Sequence, residues 1–202
     1  MRTEQRIETP RGAVRVIHDA TLADVEACPL DGGLTSLVHS PIARRGVLRN
    51  LAADPGARLT LAVAGGAIVG HVAVGRSFGR WQALPRVREV AFEVAREWRR
   101  LGLLARLVDV ALADPAVEHE ILLAFLWPSA WDVEGTALQP TTYRRLLERL
   151  GARRGFLPVP TDEPEIALGG SLIVRVGARV PYDAVEALDG ARILGRGVRA
   201  AA

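Results

Sequence analysis

The sequence predicts an α/β or α+β fold built around a mixed sheet, and three observations carry that prediction. Two apolar runs, Leu59 to Ala64 and Ala67 to Val74, flank the pair Gly65-Gly66, the pattern of an antiparallel hairpin. Val87 to Val94 reads as a strand and Leu103 to Leu112 as a helix, so a strand leads through a short turn into a helix. Ile121 to Leu126 is a continuous apolar run, as in a central strand covered on both faces. Strand and helix alternate only from about Val87 onward, after the hairpin, so the sheet is expected to be mixed.

The elements follow in order. Ala13 to His18 alternates like a short strand, and Thr21 before Leu22, Val25 and Cys28 reads as the cap of a helical stretch. Ser40-Pro41 to Ala53 is a second helix, ended by Asp54-Pro55-Gly56. After the hairpin, Gly75 to Pro85 is an excursion between strands. In Val87 to Val94, strict alternation would place Val90, Phe92 and Val94 on one face and Glu89, Ala91 and Glu93 on the other. The helical repeat of Leu103, Leu104, Leu107, Val108, Ala111 and Leu112 closes at Asp114-Pro115. Trp127 to Pro140 has no periodicity, and a loop of that length in a compact domain is more often functional than accidental. Thr141 to Leu150 is a helix stopped by Gly151; Phe156 to Val159 and Ser171 to Val176 are strands on either side of the acidic turn at 161–165; Tyr182 to Leu188 is a last short helix before an Arg/Ala tail. No repeat, linker or domain boundary interrupts residues 1–202, which are read as one domain.

Composition narrows the chemistry. All 26 basic residues are arginine, against 23 acidic residues, so Schiff-base lysine, lysine general-base and P-loop lysine chemistries are excluded. The net charge of +3 is small, and the basic pI of 9.9 reflects the arginines. Arginine pairs at 44/45, 99/100, 144/145 and 153/154 are scattered without aromatic partners, so no nucleic-acid partner is expected. The single cysteine, Cys28, cannot form an intramolecular bridge; with His18 and His39 nearby in sequence but no nucleophile motif, it is expected to be buried and inert. No apolar run approaches a membrane span and the N-terminus lacks a signal-peptide core, so a cytoplasmic protein without membrane contact is expected. Glu118-His119-Glu120 has no further ligand at metal spacing and is read as the polar entry to a strand; no metal is expected.

The stretch from Val87 to Leu112 carries the chemistry. A helix that starts just after a strand and a glycine-bearing turn presents backbone N–H groups and a positive dipole end, both of which attract phosphate, and Arg99 and Arg100 would add charged donors. A plain strand-to-helix turn with solvated arginines is the alternative. The string from Glu93 to Leu104, containing Arg99-Arg100-Leu101-Gly102-Leu103-Leu104, resembles the acetyl-CoA signature of the GNAT acetyltransferases, and the hairpin before it suits that fold. The resemblance implies a mixed, mostly antiparallel sheet flanked by helices, with the signature region at 87–112. It also implies acetyl-CoA as co-substrate, its pyrophosphate over the backbone N–H groups of Leu101, Gly102, Leu103, Leu104 and Ala105, and its thioester carbonyl beside the backbone of Val94. Leu104 stands where glycine or alanine is usual, so its side chain must turn away from the cofactor.

The C-terminal half sharpens the likeness. Trp131-Asp132-Val133-Glu134-Gly135, Tyr143-Arg144-Arg145, Thr161-Asp162-Glu163-Pro164-Glu165-Ile166 and Val174-Arg175-Val176-Gly177 are similar to the acetoin-utilization branch of GNAT, with the family-like part spanning 121–194. That branch implies a protein lysine as acceptor, notably one on acetyl-CoA synthetase. A small-molecule amine acetyltransferase and a non-catalytic acyl-CoA-sensing regulator are the alternatives, and a homodimer is compatible with all three.

Acetyl transfer to an amine requires a base, which burial can supply by raising a carboxylate's pKa toward neutrality. Glu89 and Glu93 are the candidates, about 13 Å apart at roughly 3.3 Å per strand residue, so they cannot both touch one amine. The resemblance favours Glu89, since family members that use a glutamate take it from the earlier part of this strand; pairing with nearby arginines is the alternative for both. Tyr143 is the family-implied candidate to return a proton to the leaving thiolate, against a packed helix-face tyrosine. Trp127, Trp131 and Asp132 in the long loop could line an acceptor channel, and Asp162, Glu163 and Glu165 could attract a lysine-bearing surface unless they form a merely solvated turn.

Overall fold

The structure is a computed structural model, and it describes residues 2–35 and 41–192. His39 and the Arg/Ala tail beyond 192 lie outside the described residues. The described residues form two compact units: residues 2–35 and 41–75 with 90–114, and residues 76–89 with 115–192.

In unit one, β1 (Thr3–Thr9), β2 (Gly12–His18), β3 (Arg58–Ala64) and β4 (Ala67–Gly75) pair in chain order, each antiparallel to the next. β3 and β4 turn at Gly65-Gly66 and are buried along nearly their whole length. β1 was not expected. Of its seven residues only Ile7 is buried, so it carries no apolar alternation to betray it. Two helices sit between β2 and β3. The first, α1 (Leu22–Glu26), starts with a capping box in which the Thr21 hydroxyl takes the Asp24 N–H and the Asp24 carboxylate takes the Thr21 N–H. It packs against α2 (Pro41–Ala53). A further helix, α3 (Leu103–Leu112), buries Leu103, Leu107, Val108 and Ala111 and packs on β3 and β4. Cys28 is buried here, as expected.

β5 (Val87–Val94) runs through both units, with Val87–Glu89 in unit two and Val90–Val94 in unit one. Its burial does not alternate strictly: Val87, Val90, Glu93 and Val94 are buried and the residues between are half-buried. A half-buried position fits Glu89 but not Glu93, which is buried as deeply as the valines beside it.

In unit two the first residues of β5 pair in parallel with β6 (Ile121–Leu126). β6 pairs antiparallel with β8 (Ser171–Val176), and β8 with β7 (Leu157–Val159). The pairings are thus mixed and mostly antiparallel. The aperiodic loop contains a short helix, α4 (Val133–Thr136), followed by α5 (Pro140–Ala152); α6 (Pro164–Ala167) occupies the acidic turn and α7 (Tyr182–Ala191) ends the described chain. The core of this unit gathers Trp81, Val87, Ile121, Leu123, Phe125, Ile166, Leu172, Val174, Ala184 and Leu188. Trp81 is fully buried in a 3₁₀ turn at Gly79–Ala83, so the excursion after β4 supplies this core with its largest side chain.

Candidate active site

The turn from β5 to α3 is built from backbone. A 3₁₀ turn at Arg96–Trp98 follows Ala95, whose N–H bonds the Val69 carbonyl at 2.8 Å and ties the strand's end to β4. Two residues then take left-handed conformations, Arg100 at φ 62° and Gly102 at φ 75°. The second is the N-cap of α3 and needs glycine, because other residues are strained at that angle. Arginine at Arg100 lacks that freedom, and strain of this kind tends to gather at ligand clamps. Having no side chain, the Gly102 cap places no oxygen over the first N–H groups of α3, and the space where a Cβ would stand is open. The positive end of the α3 dipole faces that turn, an arrangement suited to an anion.

The side chains of the turn are arranged less simply than the sequence suggests. Arg99 is half-buried and its Nε donates to the Val94 carbonyl at 2.9 Å, which fixes the guanidinium against the strand's last carbonyl. Arg100 is exposed. Leu103 is buried in the unit's core, while Leu101, Leu104 and Ala105 are half-buried. Leu104 is therefore neither driven fully into the core nor standing free over the helix end.

The two glutamates of β5 sit in contrasting surroundings. Burial pushes the Glu89 carboxyl up to about 7, with no opposing charge to lower it again. Its carboxylate makes no ion pair or hydrogen bond among the described residues, and nearby Arg88 turns instead to Glu120 at 3.5 Å. Glu93 is 4% exposed and accepts a hydrogen bond from the Thr35 N–H through Oε1. On β4, where the Glu93 carbonyl lies 3.1 Å from the place a Cβ on Gly70 would take, the next residue is His71, 2% exposed and with no hydrogen-bond partner on either ring nitrogen among the described residues. Burial holds the His71 pKa below its ordinary value, and the charge of Glu93 opposes that shift only in part. The sequence reading passed over His71, although a histidine inside the buried run Ile68 to Val74 was a visible signal.

Unit two holds the acceptor-side candidates. Trp127 stacks on Phe125 with centroids 5.1 Å apart and planes 8° apart; Phe78 and Trp81 complete an aromatic cluster around Phe125. Trp131 is not part of that cluster. It stacks on Tyr143 at 5.6 Å, so the tyrosine ring is packed flat against the indole. Asp132 caps α4, its carboxylate accepting from the Gly135 N–H at 2.9 Å. The acidic turn is partly neutralised from within: Arg80 pairs with Asp162 and Glu163 and lies over the Trp81 ring, whose Nε1 donates to Glu163 at 3.2 Å. That arginine was another residue the sequence reading missed, since its partners lie some eighty positions away. Among the described residues no group of three or more His, Cys, Asp and Glu side chains could hold a metal ion, and no helix is long and apolar enough to cross a membrane.

No protein-family model matches the chain. Among solved structures, the GNAT domain of S. lividans PAT superimposes with a TM-score of 0.56 at 15% identity, covering 85% of this chain and 95% of that one. The fold is that of the GNAT N-acetyltransferases. Within that fold the chain resembles the acetoin utilization proteins along nearly its whole length. It is 26% identical over 197 residues to acetoin utilization protein AcuA of Bacillus subtilis, covering 94% of this chain and 93% of that one. The crystal structure of the acetoin utilization protein from Exiguobacterium sibiricum superimposes with a TM-score of 0.89 at 29% identity, covering 96% and 94% of the two chains.

Proposed function

We propose that this chain, acting as one acetyltransferase domain over residues 1–202, transfers an acetyl group from acetyl-CoA to an amine by direct attack, with Glu89 as the base. The observation that carries this reading is the Glu89 carboxyl, raised to about 7 by burial alone, on the strand that leads into a glycine-capped helix end. Such a group is half ionised near neutral pH, where a base is most effective.

Bound acetyl-CoA supplies the activated acyl group and a thiolate leaving group. The residues of the chain do the rest. Leu101 to Ala105 hold the pyrophosphate with backbone N–H groups and the α3 dipole, and Arg99 and Arg100 flank it. Val94 places its backbone beside the thioester. Glu89 takes the proton that the ammonium of the acceptor must lose before its nitrogen can bond the acyl carbon. Tyr143 is the candidate to return a proton to the leaving sulfur.

The acceptor in this reading is a lysine side chain of a protein such as acetyl-CoA synthetase, with Trp127 and Trp131 along its aliphatic stem and Asp132, Asp162 and Glu163 near its cation. What supports it is the likeness to the acetoin utilization proteins over nearly the whole chain. The chain would work in the cytoplasm. The test is incubation with acetyl-CoA and acetyl-CoA synthetase, followed by mass spectrometry of its lysines. Acetyl transfer that depends on Glu89 is expected; no transfer to any acceptor, with no protection by CoA against heating, overturns the reading.

A further inference from the structure

Unit one contains a buried group that the proposed reaction leaves unused. Imidazole nitrogens seldom lie in a protein core without hydrogen bonds, because the loss of water goes uncompensated. His71 is such a case, and the contrast with the other described buried histidine is direct: His18 bonds the Thr60 hydroxyl through Nδ1 at 2.8 Å and approaches Asp114 through Nε2 at 3.5 Å. The Glu93 backbone lies against β4 at the residue before His71, its carbonyl oxygen 3.1 Å from where a Cβ on Gly70 would stand, and the Glu93 carboxylate is the charge that acts on the imidazole.

Glu93 leads to the cofactor turn through the segment from Pro29 to Thr35. That segment is fastened at three places. Its start is bonded to β4 by Asp31 N–H to the Ile68 carbonyl at 2.9 Å and Ile68 N–H to the Pro29 carbonyl at 2.8 Å. Its middle receives the Arg96 N–H on the Gly33 carbonyl at 3.1 Å, and a Cβ at Gly33 would come within 2.7 Å of that same nitrogen, so the two backbones touch. Its end is held by the Thr35 N–H on Glu93. Arg96 opens the turn whose later residues cap α3.

We propose that His71 is a positioning residue for the cofactor turn, acting through Glu93, which anchors the segment that grips Arg96. A neutral imidazole can donate an N–H toward the carboxylate and hold it oriented on Thr35 without adding a second buried charge. Its depressed pKa keeps it neutral, which suits that task. The proposal rests on the reading of the turn as the CoA phosphate site, although the anchoring itself is a property of the free chain.

The experiment therefore has two arms, amide hydrogen exchange on the free protein and CoA binding by calorimetry, applied to His71→Phe, His71→Gln and Glu93→Met. His71→Phe and Glu93→Met are expected to speed exchange at the Thr35 and Arg96 amides about tenfold or more, while β3 amides stay protected. Both should weaken CoA binding by about fivefold to tenfold. His71→Gln keeps a neutral donor and should restore both readouts. A purely structural histidine would lower the melting temperature without singling out those two amides. Wild-type exchange at Thr35 and Arg96 in His71→Phe overturns the proposal, as does faster exchange in His71→Gln equal to that in His71→Phe. If His71→Phe does not fold, unchanged exchange at these amides in Glu93→Met overturns it. Absence of CoA affinity in the wild-type chain would sink the reading of the turn, while the exchange arm would still decide the role of His71.

Discussion

The two halves of β5 carry the same side-chain chemistry in opposite surroundings. In Val87–Glu89 the carboxylate of Glu89 is desolvated and without an ion-pair or hydrogen-bond partner among the described residues, so its proton affinity rises to about 7. In Val90–Val94 the carboxylate of Glu93 is buried more deeply, yet it is engaged by a backbone N–H and its charge acts on the His71 imidazole. Burial alone therefore does not make a base. A buried carboxylate that accepts a backbone hydrogen bond is held in place by it; at Glu89, which has no such partner among the described residues, burial raises the proton affinity unopposed. Beyond Val94 the chain turns into α3 through backbone, with Gly102 as its cap.

The sharpest way to break this contrast is Glu89→Gln. Losing a general base should lower kcat by about 10²- to 10³-fold, with CoA affinity unchanged in calorimetry. The pH profile provides the sign: a base must be ionised, so kcat/KM should rise with pH through about 7 in the wild type, and that limb should vanish in the variant. Equal kcat values for the two proteins would remove Glu89 from the mechanism.

Gly102→Val tests the backbone side of the comparison. A β-branched residue at φ 75° should cost about 1–2 kcal/mol of strain or displace the cap, so the Kd for CoA should rise roughly tenfold while kcat at saturation changes little. A kcat loss with normal CoA affinity would contradict the assignment.

Glu93→Met should act as the removal of an anchor does. Leaving the part-buried Thr35 N–H without its acceptor is expected to lower stability by about 1 kcal/mol, read by denaturant unfolding, with kcat at saturating acetyl-CoA nearly retained. A loss of kcat comparable to that of Glu89→Gln would exchange the two roles.

The smallest effect concerns His71. Its folded pKa is depressed below 6.5, so below pH 6.5 the unfolded chain binds more protons than the folded one, and stability falls as pH drops through that value. Glu93 is the charged group set against it, and its β3 neighbours Thr60, Leu61 and Ala62 carry no charge. His71→Gln should flatten the decline between pH 6.5 and 5, measured as the change in melting temperature.

Much of the fold could be read from local pattern. The hairpin around Gly65-Gly66, the strand Ile121–Leu126 and the amphipathic helix Leu103–Leu112 are written in periodicities that burial imposes directly on neighbouring residues. β1 escaped because an edge strand with one buried residue pairs through backbone atoms, which leave no mark on composition. The position of both glutamates on one strand was equally legible, but not their difference. That difference depends on Thr35 and His71, residues 58 and 22 positions from Glu93, and such long-range neighbours have no signature along the chain. The same holds for Arg80, whose pairing with Asp162 and Glu163 draws charge from a turn that looks openly acidic in sequence.

The sequence by itself determined the class of sheet, the run of strand, glycine-bearing turn and helix from Val87 to Leu112, and an all-arginine chemistry that excludes catalysis by lysine. Those follow from residue type, spacing and periodicity, which are properties of short stretches. Only the tertiary structure decided which carboxylate is desolvated without a partner among the described residues and which holds a backbone N–H, because burial and long-range partners are supplied by folding and not by neighbours in sequence.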